Sequence, residues 1–292
     1  MERPVRRTAI IGVLAAGTLA ISGCAGSESG SQPDPHTPSR ESPSASAEVI
    51  DGPVDIGGRS LYLQCDGDGP STVILEAGLT GDHRTWDALF SDLTSLARVC
   101  AYDRANVGAS DPARTPRTAD EMVADLDALL TAAQQPPPYV LVGFSFGGLV
   151  SQLYARTHPN DVDGLVLVES NHPDEAEQFE AELTPKQIAA DHREVNANEE
   201  GVDVYRSFAE TQQAAAMPDV PLVVVTAGVP EDWPPGWDSR VFDRLRAAQQ
   251  ADLASLVPNG TQVIAKQSSH DVPVQQPEII VQAVKTVLAQ AD

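Results

Sequence analysis

The 292-residue sequence predicts an α/β fold, a mostly parallel sheet of eight strands flanked by helices, with a small helical cap after the sixth strand. Three observations predict it. Short apolar runs alternate with amphipathic stretches along most of the chain. The runs Tyr139 to Val142, Leu165 to Val168 and Leu222 to Val225 are almost continuously apolar, as parallel strands covered on both faces require. The first of these runs leads through Gly143-Phe144-Ser145-Phe146-Gly147 into a helical stretch, Gly148 to Thr157, giving a strand, a sharp turn and a helix.

The remaining elements follow in order. Ala47 to Ile56 and Ser60 to Cys65 read as a hairpin around Gly57-Gly58, from their period-two alternation and the turn signal between them. Val73-Ile74-Leu75 is the first buried strand, a helix spans about Trp86 to Leu96, and Val99 to Tyr102 is the next strand. From Thr118 to Ala133, Met122, Val123, Leu126, Leu129 and Leu130 form a helical stripe that Pro136-Pro137-Pro138 stops. Val241 to Leu256 and Glu278 to Ala289 are helices around the strand Gln262 to Ala265. Between Asn171 and Pro218 the alternation gives way to a polar, acidic insert. Thr184-Pro185 and Pro173-Asp174-Glu175 are helix start signals there, so residues 171–218 read as a helical cap over the turn.

Both ends of the composition carry information. Arg3, Arg6 and Arg7 precede an apolar stretch from Ala9 to Ile21 and then Ile21-Ser22-Gly23-Cys24, the layout of a bacterial export signal too short to span a bilayer. It resembles a lipoprotein signal, which implies removal of residues 1–23 and lipidation of Cys24; an ordinary signal with Cys24 incidental is the alternative. The adjacent Arg6-Arg7 also suits twin-arginine export. Residues 24–47 are rich in Ser, Pro, Gly and Ala and read as a disordered tether with a reach on the order of 25 Å. The protein is therefore expected on the extracytoplasmic face of the cell membrane, anchored by lipid. About 245 residues remain from Glu48 onward, enough for one large domain, and a monomer is expected. The net charge of −23 becomes more negative by two once the leader is lost, which makes nucleic acid and anionic lipid headgroups poor partners.

A serine at the tip of a strand-to-helix turn is held out above the sheet, and flanking glycines are needed where side chains would collide with the adjacent strand and helix. Ser145 is thus the candidate nucleophile. A bare N-cap is the bland reading of such a serine, and a dinucleotide-binding turn would need glycine where Ser145 stands. No H-E-x-x-H or C-x-x-C spacing points to a metal, and no cofactor motif is found.

With the elbow, Leu75-Glu76-Ala77-Gly78-Leu79, Tyr102-Asp103-Arg104 leading to Gly108-Ala109-Ser110, and Ser268-Ser269-His270 in this order, the chain resembles the α/β-hydrolase superfamily from residue 48 to its end. The resemblance implies an esterase- or lipase-like serine hydrolase. His270, after the last strand, would be the base that takes the serine proton. The other histidines lie in the tether, the elbow helix, the cap or ahead of the site. The acid would follow the sixth strand, as Glu169, or the seventh, where the usual spacing places Glu231 and Asp232 is the alternative acid. The oxyanion donors would be the backbone N–H groups of Leu79 and Phe146, although Ala77-Gly78 stands where His-Gly is more familiar. Asp103 and Arg104 read as braces. The resemblance also sets the second and fourth strands side by side, which would let Cys65 and Cys100 form a disulfide; two buried thiols are the alternative.

The expected activity is cleavage of a carboxylic ester, or an amide, of a small or acyl substrate through an acyl-enzyme. A serine at the elbow argues against the carboxylate-nucleophile chemistry of dehalogenase- and epoxide-hydrolase-like relatives. A non-catalytic binding lipoprotein and a peroxidase- or aminopeptidase-like enzyme are the other readings.

Overall fold

The computed structural model describes residues 47–291. The predicted leader, Cys24 and the tether up to residue 46 lie outside them. Eight strands run β1 (Ile50–Asp55), β2 (Ser60–Asp66), β3 (Thr72–Glu76), β4 (Arg98–Tyr102), β5 (Tyr139–Phe144), β6 (Val162–Val168), β7 (Leu222–Ala227) and β8 (Thr261–Ala265). They form one sheet in the order β1-β2-β4-β3-β5-β6-β7-β8. β2 runs antiparallel to β1 and to β4, and every other neighbouring pair is parallel.

The unbroken apolar runs are explained by two cores. Successive side chains of a strand point to opposite faces. Leu141, Leu165, Leu167 and Val224 therefore enter a core with the helices α2 (Ala119–Ala132) and α3 (Phe146–Thr157). Val140, Val142, Val166, Val168 and Val225 enter the opposite one, with α1 (Asp87–Thr94) and α9 (Pro277–Leu288). Both faces being covered, no polar alternation survives in β5, β6 or β7. The insert folds as α4 (Glu175–Glu180), α5 (Pro185–Val195) and α6 (Val204–Gln213). Thr184 caps α5 with proline at its first position, and the Gln187 side chain accepts from the Thr184 N–H at 3.0 Å. Two helices, α7 (Ser239–Ala254) and α8 (Val272–Gln275), flank β8.

One element starts earlier than its sequence suggests. α3 begins at Phe146, directly after the serine, although Gly147 and Gly148 are weak helix formers. Close approach explains the glycines: a Cβ on Gly147 would lie 2.3 Å from the carbonyl oxygens of Glu76 and Ala77, and one on Gly143 would lie 2.5 Å from Ser151 Oγ.

Cys65 and Cys100 face each other in the β2–β4 register and are joined by a disulfide. The bond closes a loop of sequence separation 35, and loops of that size are worth roughly 3–4 kcal/mol through the entropy of the unfolded chain. The Cys65→Ser/Cys100→Ser variant is expected to lose about that much in a urea titration under oxidising conditions. Wild-type protein titrated with excess reductant should approach the same midpoint.

Candidate active site

In a parallel sheet the strand C-termini gather at one edge, so the segments after β3, β5, β6, β7 and β8 are brought together there. Ser145 follows β5 with φ 53° and ψ −122°, a left-handed conformation that few non-glycine residues adopt. It is held there by its own backbone. The Ser145 N–H donates to Val168 O at 3.0 Å, and its carbonyl accepts from Gly148 N–H at 2.9 Å and Asn171 N–H at 3.2 Å. The β3 loop crosses directly above, since a Cβ built on Gly78 would touch Ser145 Cβ at 3.4 Å.

The two candidate oxyanion donors flank this serine. Phe146 is the first residue of α3, so its N–H has no intrahelical acceptor. Among the described residues, no hydrogen bond from the Leu79 N–H is recorded. The loop carrying Leu79 is fixed from beneath by Arg104. Its guanidinium donates to the carbonyls of Ala77 and Gly78, each at 2.6 Å, and pairs with Glu76 at 2.5 Å and Glu200 at 2.6 Å. Glu200, which lies in the insert, also accepts from Thr80 N–H at 2.9 Å. Asp103 braces the neighbouring turns, accepting from the N–H groups of His83 and Ala109, both at 2.8 Å. The bracing role expected of Asp103 and Arg104 is the one they have. Glu200 was not legible as its partner, because an acid in a polar insert looks the same whether buried or solvated.

His270 lies after β8 with its ring centroid 5.0 Å from that of Phe144, the residue before Ser145. Its Nδ1 lies 3.5 Å from Glu169 Oε2 and 3.4 Å from Glu231 Oε1, within ion-pair reach of both carboxylates and closed into a hydrogen bond with neither. No hydrogen bond between Ser145 and His270 is recorded among the described residues. Contacts of this kind commonly tighten only when substrate is bound.

Glu169 is fully buried at φ 44°, its N–H donating to Val225 O at 2.8 Å. Its Oε1 accepts from Ala227 N–H at 2.6 Å, which leaves Oε2 to face the imidazole. Between the two candidates after β7, the structure makes a correction. Glu231, not Asp232, reaches His270; Asp232 is exposed and lines a cavity instead. The Gly228 and Val229 N–H groups are tied to Ser268 O, which fixes the loop against the His270 segment. The residue that reaches the ring is thus the one at the usual spacing, Glu231, rather than its neighbour.

Burial opposes charge on the His270 ring, but Glu169 and Glu231 outweigh it and push its pKa up from 6.5 to about 9. Burial likewise opposes ionisation of Glu231, and His270 and Arg246 together hold it below the usual carboxylate range. Arg246 of α7 bridges Glu231 at 3.3 Å to Glu175 of α4 at 3.2 Å, so the cap and the β7 loop share one guanidinium. The remaining described histidines are engaged elsewhere: His83 with Asp103, His172 with Asp252, His192 with Glu180, and His158 stacked on Tyr154.

Among the described residues, two groups could offer ligand atoms to a metal, Glu169-Glu231-His270 and Asp82-His83-Asp103, with the atoms of each within 4.8 Å of one another. Sequence spacing shows neither, because tertiary folding assembles both. In each, carboxylate oxygens already accept from backbone N–H groups or pair with arginine.

A cavity of about 330 Å³ opens at Ser145 and is walled by the insert and the β7 loop. A smaller one of about 140 Å³ adjoins Glu169, and Glu231, Trp233 and Arg246 line both.

The family model for the alpha/beta hydrolase fold matches residues 71–269, a span that holds the elbow and both carboxylates and ends one residue before His270. The chain belongs to the α/β-hydrolase family. This α/β hydrolase is 27% identical over 227 residues to the uncharacterized protein YqjL of Bacillus subtilis (strain 168), covering 75% of the chain and 84% of the relative. Among solved structures it is similar to a thermophilic esterase from Thermogutta terrifontis, with a TM-score of 0.58 and 21% identity over 84% of this chain and 99% of the other. It is also similar to the enol-lactonase from Burkholderia xenovorans LB400, with a TM-score of 0.59 and 19% identity over 81% and 99%. At such identities the two structures speak to the fold.

Proposed function

We propose that this α/β hydrolase cleaves a carboxylic ester of a small or acyl substrate through an acyl-enzyme on Ser145. The observation that carries the reading is the clamp on Glu169. One oxygen is spent on the Ala227 N–H and the other faces the His270 ring, beside a serine held out at a strained elbow. In this scheme the Ser145 hydroxyl attacks the acyl carbon as His270 takes its proton, and His270 then gives that proton to the departing alkoxide. Water repeats the cycle in reverse, releasing the acid and restoring the serine. The N–H groups of Leu79 and Phe146 hold the oxyanion, and Glu169 orients the ring and stabilises its charge. An esterase and an enol-lactonase share the fold, which is consistent with ester chemistry on this scaffold.

A fluorophosphonate probe tests the nucleophile directly. Label is expected on Ser145 and on no other residue, with none in Ser145→Ala; folded wild-type protein that stays unlabelled would leave a binding role. A panel of acyl esters of graded chain length then reads the depth of the acyl site. The same proposal places the enzyme on the extracytoplasmic face of a membrane through a lipid on Cys24. Radiolabelled palmitate should enter the wild type and not Cys24→Ser, whose product should leave the membrane fraction; retention of the label would reject the anchor.

A further inference from the structure

The cavity at Ser145 has an unusual combination of walls. Phe179 from the cap and Trp233 and Trp237 from the β7 loop all line it. The two indole planes are nearly parallel, 8° apart with centroids separated by 6.1 Å, and Phe179 stands almost perpendicular to both, at 5.6 and 6.2 Å. The fully buried Phe242 backs the group, within 4.4 to 5.3 Å of all three rings. The Trp233 indole N–H is committed to Asp243 at 2.7 Å, so this ring has no donor left for a ligand and offers its π surface.

The charged groups on the same walls are mostly of one sign. Glu175, Glu180, Asp191, Glu231 and Asp232 line the cavity, against Arg246 as the one lining arginine or lysine. Arg246 is divided between Glu175 and Glu231, and Glu180 faces His192 at 2.6 Å. Among the described residues, Asp191 accepts only the Tyr205 hydroxyl and Asp232 takes part in no ion pair. A carboxylate-bearing ligand would meet uncompensated negative charge here. A neutral acyl chain would gain nothing from the acids and would leave them partly desolvated. An alkylammonium group suits both features at once, since ring faces and carboxylates attract the same charge and low-dielectric walls focus the field between them.

We propose that the ester this enzyme takes carries a cationic amine, held in the cavity between the Trp233, Trp237 and Phe179 rings and the carboxylates of Asp191 and Asp232. The inference rests on Ser145 being the nucleophile and adds the charge of the substrate. A net charge of −23 over the whole chain would also raise the local concentration of such a substrate.

The experiment is protection of Ser145 from fluorophosphonate labelling by two ligands of equal size. Choline and 3,3-dimethylbutan-1-ol differ in having a quaternary nitrogen or a carbon at the same place. Choline is expected to slow labelling at a concentration at least about ten times lower than the alcohol, an advantage that shrinks in high salt and in Asp232→Asn and is largely lost in Trp233→Leu. Equal protection by the two, with normal labelling in their absence, would overturn the cationic substrate and make the cavity a plain acyl site. Absence of labelling in folded protein would instead remove the nucleophile reading, and this inference with it. Circular dichroism and the labelling rate without ligand confirm that each variant is folded and competent.

Discussion

Glutamine at position 169 is expected to lower kcat about 10,000-fold while leaving KM within a few-fold of wild type, against about a million-fold for Ser145→Ala or His270→Ala. The amide keeps the size of the side chain, but it cannot hold the imidazole's charge. Its NH2 group can also donate toward Nδ1 and so favour the wrong tautomer. Glu169 is fully buried with one oxygen tied to Ala227 N–H, which fixes its orientation, and Glu231 is the other carboxylate within reach of the ring, at 3.4 Å. Glu231→Gln is the discriminating companion. Glu231 is only partly buried and shares its charge with Arg246, so its loss should spare most of kcat. If Glu231→Gln is the crippled variant and Glu169→Gln turns over normally, the acid has been assigned to the wrong loop.

The pH dependence separates the same two carboxylates by a different route. A general base must be unprotonated, so with His270 pushed up to about 9 the value of kcat/KM should climb with pH through that region. Removing the Glu231 charge withdraws one of the two causes of the upward shift and leaves Arg246 less compensated, which favours the neutral ring. The rising limb should therefore move toward neutral pH, and Glu231→Gln should be at least as active as wild type at pH 7. A limb fixed at the same pH in both proteins would mean that Glu231 does not act on the ring. The stability sign runs the other way from the activity. A folded pKa above the unfolded 6.5 means that this contribution to stability is complete below pH 6.5 and is lost as pH rises through about 9.

How far the sequence carried is clearest at this edge of the sheet. The parallel part of the sheet was legible because apolar runs of β5, β6 and β7 have no polar alternation, as doubly covered strands allow, whereas the pairing of the second and fourth strands came from the resemblance. Ser145 was legible because its constraints are local: a strand, two glycines without room for a Cβ, and a helix. His270 and Glu169 required the resemblance, since nothing within a few residues of either says where a loop end will lie. Between Glu231, at the usual spacing, and Asp232, an aspartate one residue later, the sequence does not say which side chain turns toward His270. Glu200, Arg246 and the Trp233-Trp237-Phe179 group had no sequence signal at all. Each depends on where the insert lands, and polar helices with few apolar anchors leave that to tertiary contacts.

Glu200 shows what that landing does, and it sets up a second large effect. Arg104 is buried between Glu76 and Glu200, and it also supplies the donors that fix the carbonyls of Ala77 and Gly78. Arg104→Met fills much of the same volume but leaves two carboxylates buried with no cation between them. Breaking a buried ion pair from one side costs about 3–5 kcal/mol. Burial already pushes Glu76 upward in pKa even with Arg104 beside it, so in the variant protons should be bound more tightly in the folded state than in the unfolded one. Stability should accordingly fall as pH rises, making Arg104→Met more stable near pH 5 than near pH 8 in urea titrations. Adding Glu200→Gln should recover part of the loss, because it removes one uncompensated charge. The activity of the single variant should drop through kcat, since the segment carrying the Leu79 N–H would no longer be held against the elbow. A loss of stability below about 1 kcal/mol, with kcat intact, would show that the loop is positioned by something other than this guanidinium.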